Sequence, residues 1–295
     1  MIVVIDSGSL INVFDQTPQR QKLVTWLQRN PASSLYLPTL AMEEVLGLDD
    51  AVVVARLRVM LEMYQAAPRQ VLIAAHLATA ILTEIDRQPT TVAEEASYSL
   101  ASLVGADQDT LLSPARALRQ IAVQASLGKD FGFHSDRTGA EDHAKLFGAP
   151  LDAETAVAII EDPNSATGLL LGLAPVVALS GGRLTEEDFL AAPSRYPVAN
   201  LLAHFAYRHL LANQVPHTAG HGVIAIFRTK SEKRGGRGAW YDNGIASISA
   251  LADHLITEDG DFKRKCDWLA ARNFLRFQTT TLADFVAQRC PSSMP

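Results

Sequence analysis

Hydrophobic positions form short continuous runs near both ends of the chain and recur at helical spacing between them. Ile2–Ile5 and residues 254–257 are such runs, which are typical of parallel strands buried on both faces of a sheet. Acidic and small residues follow each run, a combination that favours a turn and a helix start. The pattern predicts an α/β fold with a parallel sheet built from both ends of the chain.

Further elements follow from the same two periodicities. Short apolar runs predict three more strands, at residues 35–37, 223–227 and 274–278. Apolar residues at helical spacing predict helices in the first and last parts of the chain at residues 10–14, 22–29, 39–44, 51–65, 196–213, 244–252, 267–273 and 282–289. Asp242 and Thr281 are expected to cap two of these helices.

The middle of the chain has a different character. Residues 68–193 are rich in Ala and Leu at helical spacing, with predicted helices at residues 71–85, 92–103, 113–125, 153–160 and 186–191. Loops containing Gly, Asp and Pro separate them. The predicted organisation is a three-layer domain made of residues 1–67 and 194–295, interrupted by a helical insertion of residues 68–193.

Composition sets broad limits on function. The chain has 295 residues, so it can bury a sizeable core as one large domain or two small ones. Its net charge of −6 argues against a wholly basic nucleic-acid surface but allows a local basic strip. Its two cysteines provide no disulfide framework, which suggests a cytoplasmic protein. Neither a signal peptide nor a membrane-spanning segment is predicted.

Acidic residues stand where predicted strands end or helices begin. They are Asp6, Glu44, Asp242, Asp259 and Asp261. Functional groups of an open parallel sheet gather at the carboxyl ends of its strands. Carboxylates that meet there repel one another, and a divalent cation relieves the repulsion. Oxygen ligands select hard cations, so the pattern suggests a Mg²⁺ or Mn²⁺ site and phosphoryl chemistry.

Each acid also has an ordinary structural explanation. Asp6 and Asp242 are in positions typical of helix caps, and Asp259 belongs to an acidic turn. Glu43 and Glu44 are adjacent on a helix, so only one can face the site. Glu44 shares its helical face with apolar or small residues, and it is therefore the predicted inward carboxylate.

The end segments together resemble the PIN-domain nuclease family. The resemblance rests on VIDSGSLINVF, LPTLAMEEVLG, YDNGIASISALADHLITEDGDF and FLRFQTTTLADFVA. It covers about the first 65 and the last 90–100 residues, and it is absent between them. An ordinary stand-alone PIN toxin is roughly half this length, so a toxin role does not follow from the resemblance.

The resemblance implies a metal-dependent endonuclease that hydrolyses phosphodiester bonds, usually of RNA, by a two-metal mechanism. Activated water would leave a 5′-phosphate and a 3′-hydroxyl. Carried over by motif, the catalytic ligands are Asp6, Glu44, Asp242 and Asp259. Asp261 is a fifth or alternative ligand of Mg²⁺ or Mn²⁺. Ser7 and Thr257 would hold water or orient a neighbouring carboxylate from just outside the ligand set.

A basic segment precedes Asp242 and could hold the phosphates of RNA, or of DNA. It consists of Arg228, Lys230, Lys233, Arg234 and Arg237. A solvated surface loop is the alternative interpretation. Histidines at 217 and 221 have i, i+4 spacing but lie in a predicted loop with no nearby cysteine, which argues against zinc.

Two other functions remain open. The chain could be a non-catalytic PIN-like module that binds nucleic acid or, through the helical insertion, a protein partner. It could also be a haloacid-dehalogenase-like phosphatase, but that family requires DxD after the first strand and Gly8 occupies the third position here.

Overall fold

The structure is a computed structural model. It describes residues 1–46, 50–87, 89–95, 100–113, 116, 152–162, 164–215, 222–228 and 237–289. None of the helices in these ranges is long and apolar enough to span a membrane.

Five parallel strands form one sheet in the order β3-β2-β1-β4-β5. In chain order they are β1 (Ile2–Ile5), β2 (Ser34–Pro38), β3 (Val71–Ala74), β4 (His254–Ile256) and β5 (Gln278–Thr280). At the centre, Val4 of β1 lies beside Tyr36 of β2 and Leu255 of β4. The side chain of Val4 is fully buried, as expected for a central parallel strand. The predicted α/β class is confirmed.

Helices connect the strands and account for most of the described chain. They are α1 (Ser7–Asp15), α2 (Thr17–Arg29), α3 (Thr39–Leu46), α4 (Asp50–Ala66), α5 (Leu77–Arg87), α6 (Leu100–Leu103), α7 (Ala153–Glu161), α8 (Ala166–Leu179), α9 (Glu186–Ala191), α10 (Pro197–Gln214), α11 (Gly222–Phe227), α12 (Arg237–Ile248), α13 (Gly260–Ala270) and α14 (Leu282–Arg289). Single 3₁₀ turns precede α10 and β4, at Pro193–Arg195 and Ser249–Leu251.

The helix predicted at residues 71–85 is wrong in its first part. Val71–Ala74 forms β3, which pairs in parallel with β2, and the helix begins at Leu77. A short apolar run fits a buried strand and a buried helix equally well, so periodicity alone cannot separate them. The sheet therefore takes one strand from within residues 68–193. Residues 92–95 are not helical either, because Glu94 forms an antiparallel bridge to Ala74.

Three more expectations near the C-terminal end are corrected. The strand predicted at residues 223–227 is helix α11, and the last strand lies at Gln278–Thr280 rather than 274–278. Helix α13 begins at Gly260, well before residue 267. Thr281 does cap α14, because its hydroxyl accepts a hydrogen bond of 3.1 Å from the Asp284 N–H. The predicted helix at residues 113–125 lies almost entirely outside the described residues.

Helices α8 and α10 pack with their backbones close together. Gly172 of α8 makes this possible, because a methyl group at its Cα would overlap the backbone carbonyl of Ala203 in α10. One turn earlier, Gly168 lies against the ring of Tyr207 in the same way. α10 in turn packs against α12. The close packing of α8 against α10 therefore helps to hold α12 in place.

Gly172→Ala is expected to destabilise the protein by about 1–3 kcal/mol, because the added methyl group forces α8 away from α10. Urea unfolding monitored by circular dichroism measures the effect. Gly222→Ala is the matched control, because nothing lies within 4 Å of a methyl group at that position. Equal unfolding midpoints for the two variants would contradict the close packing.

Glu84 fixes the start of α10. This fully buried α5 residue accepts hydrogen bonds from the backbone N–H groups of Val198 at 2.6 Å and Ala199 at 3.1 Å. Two N–H groups without intrahelical partners are thereby satisfied. Burial raises the pKa of the Glu84 carboxyl from 4.5 to about 7, although both backbone bonds oppose the shift.

The pH dependence of stability should reveal this buried carboxyl. Between pH 4.5 and about 7 the folded protein keeps a proton on Glu84 that the unfolded chain has released. The contribution of Glu84 to the free energy of unfolding therefore falls as the pH rises through this window. Glu84→Gln removes that fall, so its stability relative to wild type should increase by about 1–3 kcal/mol from pH 5 to pH 8. Urea unfolding at both pH values measures it.

Glu62→Gln serves as the control for this comparison, since Glu62 is an exposed residue of α4. Its stability difference from wild type should be the same at both pH values. A Glu84→Gln profile parallel to wild type would show that the buried carboxyl does not titrate in this range.

Candidate active site

Asp6 lies at the carboxyl end of the central strand. Its backbone N–H continues the ladder by donating to the carbonyl of Ile256 at 2.9 Å. Its side chain is buried and caps α1, with Oδ1 accepting from the Ser9 N–H at 2.7 Å. The other oxygen, Oδ2, accepts from the Thr257 hydroxyl at 2.5 Å. Asp6 is thus a helix cap and also a carboxylate held at the end of β1.

Strand β4 delivers Thr257 and Asp259 to the same place. The Thr257 side chain is fully buried, and its oxygen also accepts from the Asp259 N–H at 3.1 Å. Asp259 caps α13, because its Oδ1 accepts from the N–H groups of Asp261 and Phe262, each at 2.8 Å. One threonine hydroxyl therefore connects the acids that follow the two neighbouring strands β1 and β4.

This position is the topological switch point of the sheet. The chain proceeds from β1 to β2 and β3 on one side, and it returns to β4 and β5 on the other. A crevice forms at the carboxyl ends of the strands where the direction reverses, and ligands of open α/β sheets bind there. Asp6 and Asp259 follow the two strands that flank this crevice.

Helix α3 contributes the glutamate pair from the β2 side. Glu43 is the buried member, with its Oε2 3.4 Å from the Tyr241 hydroxyl, and Glu44 is exposed. The more buried member of the pair is therefore not Glu44, the predicted inward carboxylate. Glu44 nevertheless lies beside the end of β1, where its Oε2 accepts from the Ser7 hydroxyl at 2.5 Å.

Asp242 belongs to the interior of α12 and does not cap a helix at 244 as expected. Gly244, two residues further along α12, has the side chain of Leu40 in the space that a Cβ would occupy. This contact lets α12 lie close to α3. Asp242 thereby comes within electrostatic range of Glu44, and of Asp6 and Asp259.

The pKa of the Asp242 carboxyl is strongly perturbed. Burial, together with the negative charges of Asp259, Asp6 and Glu44, raises the pKa of its carboxyl to about 7 against the opposing charge of Lys265. Burial likewise raises the pKa of Asp6, hydrogen bonds from Ser9 and Thr257 oppose the shift, and the charge of Asp259 adds to it. Four acids from four separate elements thus share one electrostatic environment.

Lys265 is a site residue that sequence reasoning missed. Its side chain is 6% exposed, and its Nζ lies 3.9 Å from Asp242 Oδ2, whose side chain is 26% exposed. On α13 it occupies the buried face with Phe262, Cys266 and Leu269. A lysine among apolar residues at i, i+3 and i+4 spacing is unusual on a buried face, and that was the available signal.

Asp261 is engaged away from this group. It lies in the first turn of α13, and its carboxylate pairs with the Arg264 guanidinium on the same helix. Its backbone N–H donates to Asp259. Asp261 is thus an acidic residue of the first turn of α13 that pairs with Arg264, whereas Asp6, Glu44 and Asp242 interact across the site.

Oxygen donors are the groups that could hold a metal here. Asp6, Glu44, Asp242 and Asp259 provide carboxylates, and Ser7 and Thr257 provide hydroxyls beside them. Such a donor set suits Mg²⁺ or Mn²⁺ rather than a soft metal. In the part of the chain that the structure describes, no three His, Cys, Asp or Glu side chains are already grouped closely enough to hold an ion.

The predicted phosphate-binding segment is described only at Arg228. Its guanidinium donates to the backbone carbonyls of Ala212, at 3.1 Å, and Val215. Arg228 therefore serves to satisfy the carboxyl end of α10. Lys230, Lys233 and Arg234 lie outside the described residues, as do the side chain of Arg237 and the histidines at 217 and 221.

Comparison of the chain with protein-family models, with curated proteins and with solved structures found no match in any of the three.

A divalent cation should stabilise this group of carboxylates. We expect 5 mM Mn²⁺ or Mg²⁺, about the concentration at which a site of modest affinity fills, to raise the melting temperature of the wild type. Asp6→Asn and Asp242→Asn should each abolish the increase. Differential scanning fluorimetry with and without EDTA measures it.

Asp15→Asn, an exposed position at the end of α1, is the matched control and should respond like wild type. The same metal-dependent increase in all four proteins would show that the ion binds elsewhere. No increase in the wild type would remove the basis for a metal centre.

Proposed function

We propose that this protein is a PIN-like nuclease that hydrolyses phosphodiester bonds of RNA with Mg²⁺ or Mn²⁺. The observation that supports it best is the meeting of Asp6, Glu44, Asp242 and Asp259 at the switch point of a parallel sheet. Their charges act on one another although Asp6 and Asp242 are far apart in sequence. The order of the acids along the chain is that of the resemblance.

The charge balance of the site supports a bound cation. Within the described residues, the positive charge that lowers the pKa of Asp242 is that of Lys265, and the negative charges of Asp259, Asp6 and Glu44 raise it. Carboxylates about 5 Å apart repel by roughly 3 kcal/mol at an effective dielectric near 20. One lysine at 3.9 Å leaves negative charge in excess, which suits a divalent ion.

The residues around the proposed metal site have separate tasks. Asp6 would be a central ligand, because Ser9 and Thr257 fix both of its oxygens in place. Glu44, oriented by Ser7, would bind from the β2 side, and Asp242 and Asp259 from the β4 side. The bound ions would lower the pKa of the attacking water and neutralise charge on the departing oxygen.

Lys265 gives the site a cation of its own. It lies beside Asp242 and would keep that carboxylate ionised when the remaining acids are occupied by metal. Because its side chain is almost fully buried, its ammonium group is shielded from the screening that weakens surface charges. An anionic phosphodiester entering the crevice would meet this positive charge at the base of an otherwise acidic site.

RNA cleavage tests the proposal directly. With 5′-labelled single-stranded RNA and Mn²⁺, wild type should give products that carry 5′-phosphate and 3′-hydroxyl ends. Asp6→Asn and Asp242→Asn should each lower kcat/KM by about 100-fold or more, because each removes a charge that binds metal. Thr257→Val should lower it by about 10-fold through loss of the bond that orients Asp6.

The adjacent glutamates provide a matched pair. Glu44→Gln should lose activity like the aspartate variants, whereas Glu43→Gln should retain more, because Glu43 faces Tyr241 rather than Ser7. Urea unfolding of each variant separates loss of fold from loss of chemistry. A greater loss of activity in Glu43→Gln than in Glu44→Gln would instead make Glu43 the metal ligand.

A binding module is the alternative function. Tight RNA binding by wild type with no cleavage in Mn²⁺ or Mg²⁺, or equal cleavage by wild type, Asp6→Asn and Asp242→Asn, would favour it. Either result would contradict the nuclease proposal.

A further inference from the structure

A cavity lies at the edge of the sheet opposite to the acids. It has a volume of about 340 Å³ and forms between the start of α10, the 3₁₀ turn before β4 and the loop that leads into β5. Ala250 precedes β4, and Phe274 precedes β5, so the cavity is at the amino ends of these strands. The candidate active site is at their carboxyl ends. The two regions are therefore separate.

The cavity is basic. Arg272 and Arg276 line it, and none of its lining residues in the described chain is acidic. Among the described residues, no carboxylate lies within ion-pair distance of either guanidinium. Arg183, by contrast, forms an ion pair with Asp86. Two unneutralised arginines that line one cavity favour an anion.

Arg272 is held in position before any ligand arrives. Its guanidinium stacks 3.7 Å from the centre of the Trp268 ring, and its Nη1 is 3.4 Å from the Trp268 carbonyl. Asn273 follows with a left-handed φ of 63°, which ends α13 and turns the chain toward the cavity. A cation that is already ordered loses little entropy on binding.

His204 offers the cavity a defined hydrogen-bond donor. The buried Arg208 brings its Nη1 within 2.9 Å of His204 Nδ1. A guanidinium can only donate, so Nδ1 must accept, and the ring proton is on Nε2. Burial, and then the charge of Arg208, lower the pKa of His204 to about 3, so the ring stays neutral. The neutral ring therefore has its proton on Nε2, and His204 is one of the residues that line the cavity.

Asn200 also lines the cavity. Its side-chain oxygen is shielded from solvent, so it is closed to a ligand in the cavity as well. The first N–H groups of α10 do not contribute to the site, because Glu84 already occupies those of Val198 and Ala199.

We propose that this cavity binds a small organic anion whose phosphate or carboxylate group lies between Arg272 and Arg276. Small-molecule sites have volumes of roughly 300–1,000 Å³, so the cavity suits a molecule about the size of a mononucleotide rather than a polymer. The site is separate from the proposed nuclease centre and does not depend on it.

Isothermal titration calorimetry in EDTA tests the cavity, with adenosine monophosphate, citrate and inorganic phosphate as probes. We expect one-site binding of at least one of the two organic anions, and the preferred one identifies phosphate or carboxylate as the recognised group. Arg272→Gln/Arg276→Gln should weaken that binding by about tenfold or more, because bonds between charged groups are the stronger ones.

Arg29→Gln, at the exposed end of α2, is the control for charge and should bind like wild type. Asp6→Asn should also bind normally, since the acids are not involved. Because Arg276 is exposed, the single variant Arg276→Gln keeps the test valid if the double variant unfolds. Failure of all three probes with wild type, or equal affinity in wild type and the arginine variants, would overturn the proposal.

Discussion

The parallel pairing of β1 with β4 is the constraint on which the rest of the molecule depends. It sets Val4 beside Leu255 and lets the Thr257 hydroxyl reach Asp6 across 251 positions of sequence. Because the chain has already used the other edge of β1 for β2, this pairing also creates the point where the strand order reverses. The long middle of the chain must leave from β3 at one edge and return to β4 beside the centre. The crevice between the ends of β1 and β4 is a consequence of that route, whatever the chemistry of the residues placed there.

Charge is the second constraint, and it opposes folding. Burial raises the pKa of both Asp6 and Asp242, which means that each carboxylate is held where water solvates it poorly. Hydrogen bonds from Ser9 and Thr257 offset part of this cost at Asp6, and Lys265 offsets part of it at Asp242. A site retained only as a set of helix caps would need none of this crowding, since a cap functions as well in solvent. The cost is consistent with the proposed binding of a divalent ion, which would reverse the sign of these interactions.

Sequence reasoning predicted the central strands and the acids that follow them, because a buried parallel strand is a short continuous apolar run. It failed where the same pattern has two solutions, as at Val71–Ala74, whose strand character depends on the free edge of β2. It did not show which of Glu43 and Glu44 is the more buried. Helical periodicity identifies a face but not which partner covers it, and α12 approaches α3 on the side of Glu43. Lys265 was missed for a related reason, since its partner Asp242 is reached only through the packing of α12.

Helix α13 connects the two charged regions and shows why each requires more than the helix itself. Its first turn is capped by Asp259, and Arg272 lies just beyond its last residue. Acids at the start of a helix and cations at its end are favourable through the helix dipole alone, so neither residue by itself indicates a ligand. What distinguishes these ends is their surroundings. At the first end, other acids crowd Asp242 despite their mutual repulsion. At the second, Arg272 and Arg276 line one cavity, and none of its described lining residues is acidic. Each is an imbalance of charge that the helix dipole does not explain and that a ligand of opposite charge would remove.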